Sequence, residues 1–124
     1  IPGAIRAVIT KTNLDIRSDG TFVREYMYVK DVVAGYRFLM DHMEEAKGEA
    51  YNLSSGQALS VMDVIRCVEA ATKKKVPYTI RNTQKNEIPT QRLTTDKVHG
   101  LGFSPKYTVE KALPSVYRWY KTIL

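Results

Sequence analysis

Arg24-Glu25-Tyr26-Met27-Tyr28-Val29-Lys30-Asp31 is the stretch on which the reading of this chain turns. Residues 22–28 alternate, the period of extended chain, with Phe22, Arg24, Tyr26 and Tyr28 on one side. From Lys30 the period changes. Val32, Val33, Tyr36, Leu39, Met40 and Met43 recur at spacings of three and four and form one helical stripe, expected to pack inward. Asp31 falls in the opening turn, where a carboxylate complements the helix dipole, and Gly48 closes the helix. A strand presenting Arg24, Tyr26 and Tyr28 together sets a guanidinium fork beside aromatic surfaces, which suits a phosphate carrying a flat base or sugar ring. The same residues also suit an ordinary surface strand whose Arg24 pairs with Glu25 or Asp19. Residue chemistry alone leaves both readings open.

Upstream, residues 1–9 have helical spacing in Ile5, Val8 and Ile9, with a start weakened by Pro2 and Gly3. Leu14 and Ile16 alternate with polar neighbours across residues 13–17, a short strand signal. Ser18-Asp19-Gly20-Thr21 is a turn, so residues 13–28 are expected to form an exposed β-hairpin. Downstream, residues 50–53 read as a strand, followed by a loop at Ser54-Ser55-Gly56-Gln57. Ser60 and Asp63 then open a helix with a capping box, and Val61, Val64, Ile65, Val68 and Ala71 mark its apolar face. A strand is expected at residues 78–81, a long polar loop at 82–92, and a short helix at 95–101. A last helix over 108–124 buries Leu113, Val116, Tyr117, Tyr120 and Ile123, with Pro114 in its early turns. Strands alternating with helices indicate an α/β organisation, and 124 residues suit one domain. A strand as isolated as 51–53 needs backbone partners, so it is expected at the edge of a sheet built by residues outside this sequence.

Composition excludes several function classes. The chain is 44% hydrophobic and 26% charged, ordinary for a globular protein, and its apolar runs are too short to span a bilayer. The first residue is not methionine, which suggests processing or a fragment. A net charge of +6 favours anionic partners, yet the only basic run, Lys73-Lys74-Lys75, sits where a helix should stop. The single cysteine, Cys67, lies in an apolar helical pattern and reads as a buried, inert thiol, consistent with a reducing cytoplasm. His42 and His99 have no partners at metal-ligand spacing, the glycines are isolated, and Ser54-Ser55-Gly56 lacks the flanks of a nucleophile elbow. No metal site and no catalytic residue is expected.

Several segments in order carry a resemblance over nearly the whole chain. Residues 24–31 resemble the Arg-Asp-(Trp/Tyr)-(Ile/Leu)-(Tyr/His)-Val-x-Asp segment of extended short-chain dehydrogenases acting on nucleotide sugars, the NAD-dependent epimerases and dehydratases. Tyr51-Asn52-Leu53-Ser54-Ser55-Gly56 is similar to their Tyr-Asn-(Leu/Ile)-Gly-x-Gly strand and loop, and residues 60–65 to the helix that follows. Residues 86–98 fall where the family has its Gly-Asp-x-Pro and Ser-Lys-Ala patterns, and Leu101-Gly102-Phe103-Ser104-Pro105 resembles its Leu-Gly-(Trp/Phe)-x-Pro. Within the family, residues 16–24 and the Asn-Glu-Ile segment are most similar to CDP-glucose 4,6-dehydratase-like members.

The resemblance implies a fold, a function and site residues. The fold would be the C-terminal, substrate-binding portion (residues 1–124) of such an enzyme, with few short strands, four to five helices and the N-terminal Rossmann portion outside this sequence. Arg24 would bind the diphosphate with Tyr26 in the same pocket wall, and Asp15 and Arg17 would lie on the strand beside the nucleobase. Gln57 would approach the nucleotide, Glu87 would be the acidic ligand contact, and Arg81 or Lys85 would stand in for a second phosphate arginine. Glu25 and Ser54 replace the family's commoner Asp and Gly. The family's Gly-rich NAD fingerprint and Tyr-x-x-x-Lys pair are not in this sequence, and Tyr26–Lys30 matches the pair's spacing only across a strand-to-helix boundary. Expected partners are thus a nucleotide sugar (CDP- or other NDP-hexose), the Rossmann portion that holds NAD, and a second subunit in a homodimer. The reaction implied is hydride removal to NAD at the sugar C4, elimination or epimerisation, and hydride return. The competing reading is a small basic nucleic-acid-binding or interaction module, with Arg17, Arg24 and the tyrosines as a stacking face.

Overall fold

A computed structural model of the chain describes residues 1–84 and 86–124. In order, its elements are α1 (Pro2–Thr10), β1 (Leu14–Ile16), β2 (Val23–Glu25), α2 (Val29–Asp41), α3 (Met43–Ala46), β3 (Ala58–Ser60), α4 (Val61–Thr72), β4 (Tyr78–Ile80), α5 (Asp96–Gly100) and α6 (Val109–Ile123). The mixed α/β organisation is as expected. The pairing of its strands is not.

No hairpin forms between β1 and β2. β1 pairs in parallel with β4, Leu14 opposite Tyr78 and Ile16 opposite Ile80. β2 pairs antiparallel with β3, Val23 opposite Ser60 and Glu25 opposite Ala58. The turn itself is real: the Thr21 amide and hydroxyl both donate to Asp19 Oδ1, and Gly20 takes φ +92°, a conformation open to glycine. It sends the chain from one sheet to the other instead of folding it back. Residues 50–53 likewise pair with no strand among the described residues. There Leu53 packs over Gly35, and Asn52 Nδ2 donates to the Thr94 carbonyl. The strand lies further on at Ala58–Ser60 and runs straight into α4.

The core is built by α1, α4 and α6. Ala4, Ile5, Ala7 and Val8 meet Ile65 and Val68 of α4, Val109 and Leu113 of α6, and Ile16 and Val76 at the sheet. Pro2 does not weaken α1 but starts it, because the first helical position needs no amide hydrogen and suits proline's fixed φ. α4 opens with the expected capping box: the Asp63 amide donates to Ser60 Oγ, and the Ser60 amide donates back to Asp63 Oδ2. Lys73 ends α4 in a left-handed conformation, and Lys75 turns back onto Glu69. In α6 the Lys111 amide donates to Thr108 Oγ1, and the helix continues through Pro114.

α2 corrects the expected inward stripe. Val33, Tyr36, Met40 and Met43 are exposed, and Asp31 and Gly35 face inward instead. The reason is a close approach: a Cβ at Gly35 would sit 2.8 Å from Leu53 Cδ1 and 3.3 Å from Phe103 Cζ, so only glycine lets these side chains cover the helix. The single expected helix also breaks at His42, whose backbone leaves helical geometry while its ring stacks on Phe38 at 4.0 Å. That break raises the count to six helices among the described residues. In α6, Ile123 is exposed, and the buried face moves back along the helix, to Val109, Ala112 and Leu113. No described helix is long and apolar enough to cross a membrane.

Candidate functional site

β2 is the spine of the site. Alternation puts Arg24 on one face and Val23 and Glu25 on the other. β3 covers one edge of β2. The other edge takes up the stretch after β4: the Val23 amide donates to the Pro89 carbonyl at 2.8 Å, the Gln91 amide donates to the Val23 carbonyl at 3.1 Å, and Thr90 forms a parallel bridge with Val23. A stretch that reads as irregular loop is therefore pinned as an added strand-like segment. Its pinning carries Glu87 to Arg24.

Arg24 Nη2 lies 3.6 Å from Glu87 Oε2, and Nη1 donates to the Val23 carbonyl at 2.8 Å. The guanidinium thus pairs with neither Glu25 nor Asp19. Both members of the pair are roughly one-third exposed, and an ion pair this open and long contributes at most about 1 kcal/mol. A phosphate offers the same guanidinium a charged, two-oxygen partner, a stronger match than the long contact to Glu87.

The other expected site residues fall in two groups. Arg81 Nε lies 3.3 Å from Asp15 Oδ1, a pair that bridges the β1/β4 sheet, with Asn13 Nδ2 donating to the same oxygen. Arg17 follows on β1's exposed continuation, where its carbonyl accepts the Gln84 amide. Arg24 with Glu87 and Asp15 with Arg81 are therefore two separate pairs, one on each sheet. Lys85 lies outside the described residues.

Gln57 and Tyr26 have structural duties. Gln57 Nε2 donates to both carboxylate oxygens of Glu110 at 2.9 Å, and Gln57 Oε1 accepts the Val109 amide at 2.8 Å. This side chain ties the loop before β3 to the N-terminus of α6 and is not turned toward Arg24. Tyr26 is half-buried against the core, its backbone joined to the same loop through the Gln57 carbonyl and the Ser55 hydroxyl. Burial pushes its hydroxyl pKa up, while the charge of Arg24 pulls the other way. Tyr26 also lines a largely apolar groove of about 710 Å³ between α6, the start of α1 and the β2–α2 connection, where Tyr28, Val116 and Trp119 join it. The expected Arg–Tyr–Tyr face is thus divided between a charged pair and an apolar groove. Lys30 lies in the first turn of α2 and Tyr26 on extended chain before it, so the two do not share a helix.

Three acidic residues do more than sequence reasoning assigned to them. Asp31 lies in the first turn of α2, as expected, and has a second duty there: it is 2% exposed and accepts the amides of Lys106 and Tyr107. Glu25 holds the Ser54 hydroxyl and the Leu93 amide, so two positions that depart from the family's pattern touch each other. Sequence reasoning missed this contact, although the joint departure of the two positions was a signal from which it could have been found. Glu110 gathers Gln57 and, at 3.5 Å, the thiol of Cys67, whose pKa is pushed up by burial and by that carboxylate, as suits an inert cysteine.

Hydrogen bonds from Gln57, with backbone and Thr108 contacts, hold the Glu110 pKa down to about 2 from an ordinary 4.5. A carboxylate depressed in the folded state stabilises it above the unfolded pKa, and that contribution fades as pH falls from about 4.5 to about 2. We expect Gln57→Ala to flatten the acid limb of the stability profile over this window, measured by thermal unfolding at stepped pH. An unchanged limb would show that solvent supplies the same stabilisation.

Residues 1–54 match the profile of the family described as the NAD dependent epimerase/dehydratase family. The UDP-glucose 4-epimerase of Bifidobacterium longum is 30% identical over 102 residues, covering 82% of this chain and 30% of that protein. The chain spans about 30% of the length of the relatives it matches in this way. The crystal structure of UDP-glucose 4-epimerase from Bifidobacterium longum in complex with NAD+ and UDP superposes with a TM-score of 0.85 at 25% identity, over 98% of this chain and 38% of that one. A dTDP-glucose 4,6-dehydratase from Bacillus anthracis shares the fold, with a TM-score of 0.79 at 20% identity over 98% of this chain and 38% of that one. The matched segment and the shared fold together make the chain similar to the NAD-dependent epimerase/dehydratase family.

Proposed function

We infer that this chain supplies the nucleotide-sugar-binding portion of an NAD-dependent nucleotide-sugar epimerase or dehydratase. The observation that carries the reading is the Arg24–Glu87 pair, assembled when residues 89–91 join the edge of β2. A guanidinium held on a strand, loosely paired and part-exposed, is a ready diphosphate ligand, and Glu87 beside it is placed to accept from sugar or ribose hydroxyls. Asp15 and Arg17 on the other sheet would meet the nucleoside end, and Arg81, held there by Asp15, would join them instead of standing in for a second phosphate arginine. In such an enzyme bound NAD would supply the hydride acceptor and donor. This chain's residues have the complementary task of binding and orienting the sugar nucleotide, an entropic and geometric contribution. The sequence holds no glycine-rich dinucleotide loop, and we place the NAD contacts outside residues 1–124. The nucleic-acid reading finds no support in the aromatics: Tyr26 packs inward instead of presenting a stacking face.

The test is calorimetric titration of the intact protein with UDP-glucose and CDP-glucose. Arg24→Ala should weaken the preferred ligand by about 10- to 100-fold, the loss of a charge-assisted hydrogen-bonding partner. Unchanged affinity in that variant would overturn the assignment. The finer CDP-glucose 4,6-dehydratase reading stands only if the cytidine ligand binds more tightly and the product has lost water. Tighter uridine binding with an epimerised product selects the epimerase.

A further inference from the structure

Two stretches of chain flank β2, and one side chain on the face opposite Arg24 touches both. We propose that Glu25 is a positioning residue, its carboxylate clamping loop 54–57 and segment 89–93 to opposite edges of β2 so that the two walls beside Arg24 keep a fixed separation. The backbone does part of this, since the Tyr26 amide donates to the Gln57 carbonyl at 3.4 Å. Val23 holds the segment at Pro89 and Gln91, leaving its continuation to be caught by side chains, and Glu25 Oε1 accepts the Leu93 amide at 3.3 Å. On the other edge, Glu25 Oε2 accepts the hydroxyl of Ser54, which is 3% exposed.

Ser54 passes the restraint onward. Its Oγ accepts the Gly56 amide at 3.1 Å, and the next hydroxyl, Ser55 Oγ, donates to the Tyr26 carbonyl and accepts the Gln57 amide. The loop is thus closed on β2 by side chains at successive positions and anchored at its far end to α6 by Gln57. A buried hydroxyl that donates to a carboxylate and accepts an amide has its proton and one of its two lone pairs engaged, which favours this arrangement of the clamp. The side-chain lengths fit the task. A carboxylate one methylene shorter would give up reach toward one edge, and a glycine at 54 would offer it nothing to hold. Glu25 lies on the face of β2 away from Arg24, so it acts through its neighbours.

The ligand consequence rests on the nucleotide-sugar reading, whereas the clamp itself does not, and the experiment separates them. In the intact protein, Glu25→Ala, the isosteric Glu25→Gln, Ser54→Ala and the Glu25→Ala/Ser54→Ala double variant are compared by amide hydrogen exchange and by UDP-glucose affinity. Glu25→Ala should speed exchange at Leu93 about tenfold and weaken UDP-glucose by about the same factor, with amides in α4 unchanged. Glu25→Gln, which keeps one acceptor, should fall between wild type and Glu25→Ala. The double variant should be no worse than Glu25→Ala, because both substitutions break one linkage. Unchanged exchange at Leu93, or effects that multiply in the double variant, would overturn the clamp. Faster exchange with undiminished affinity would reduce Glu25 to a staple and overturn its positioning role. Failure of the wild-type protein to bind any nucleotide sugar counts against the functional reading, and the exchange and double-variant results then decide the clamp by themselves.

Discussion

Replacing Asp31 with alanine is expected to lower the stability of the fold by about 3 kcal/mol or more, since two hydrogen bonds to a charged acceptor are lost at once. The Asp31 side chain accepts the Lys106 amide at 3.1 Å and the Tyr107 amide at 2.9 Å, one on each carboxylate oxygen. Both donors belong to the stretch that leads into α6. This contact joins the start of α2 to that stretch across 75 residues of sequence, and the Tyr28–Tyr107 ring pair at 5.0 Å lies beside it. Alanine leaves two backbone donors without their partner and opens a small void in a site that is 2% exposed. An asparagine side chain keeps one acceptor but turns a donor toward the other amide, so Asp31→Asn should recover part of the loss and no more. Urea unfolding of the intact protein measures both. A loss below about 1 kcal/mol for Asp31→Ala would show that water replaces the carboxylate, and that the dipole role expected from sequence was the larger one.

Leu113→Ala should cost about 2–5 kcal/mol, the range for truncating a fully buried leucine. Leu113 is 2% exposed and lies on the inner face of α6, where α1 and α4 converge. It belongs to one buried cluster that includes Ala4, Ala7 and Val68 alongside Ile5 and Ile65. Small residues let the helices approach closely, but they cannot expand into the space a leucine leaves, so the cavity should persist. The expected result is a lower urea midpoint with an unchanged slope, because the surface exposed on unfolding hardly changes. Trp119→Ala on the exposed side of α6 is the internal control and should shift the midpoint by much less. Equal shifts would mean that the outer face of α6 is also covered in the intact protein.

Local sequence determined the elements wherever their signal is local. The capping box at Ser60 and Asp63 names its own helix start, because both partners lie within one helical turn and satisfy each other's amides. The spacing of Val64, Ile65 and Val68 likewise identifies their buried face. Arg24 and Glu87 were both legible as candidates from family likeness. Their meeting was not, since it depends on residues 89–91 adding to a strand edge far upstream, and edge pairing leaves no periodicity in the polar stretch that does it.

The tertiary structure alone decided the strand partners, the orientation of α2 and the duty of each carboxylate. A turn signal says that the chain changes direction, not whether the next strand returns to its neighbour, and here β1 and β2 each pair with chain distant in sequence. Hydrophobic periodicity predicts that an apolar stripe will be covered, yet a single glycine on the other side of α2 allowed Leu53 and Phe103 to approach more closely there. From sequence, Glu25 is a possible partner for Arg24, Asp31 a helix-dipole residue, and Glu110 carries no assigned role. Amide partners brought from distant segments made Glu25 a clamp, Asp31 a buried anchor and Glu110 the tie between Gln57 and α6, because a carboxylate's role is set by the donors that fold around it.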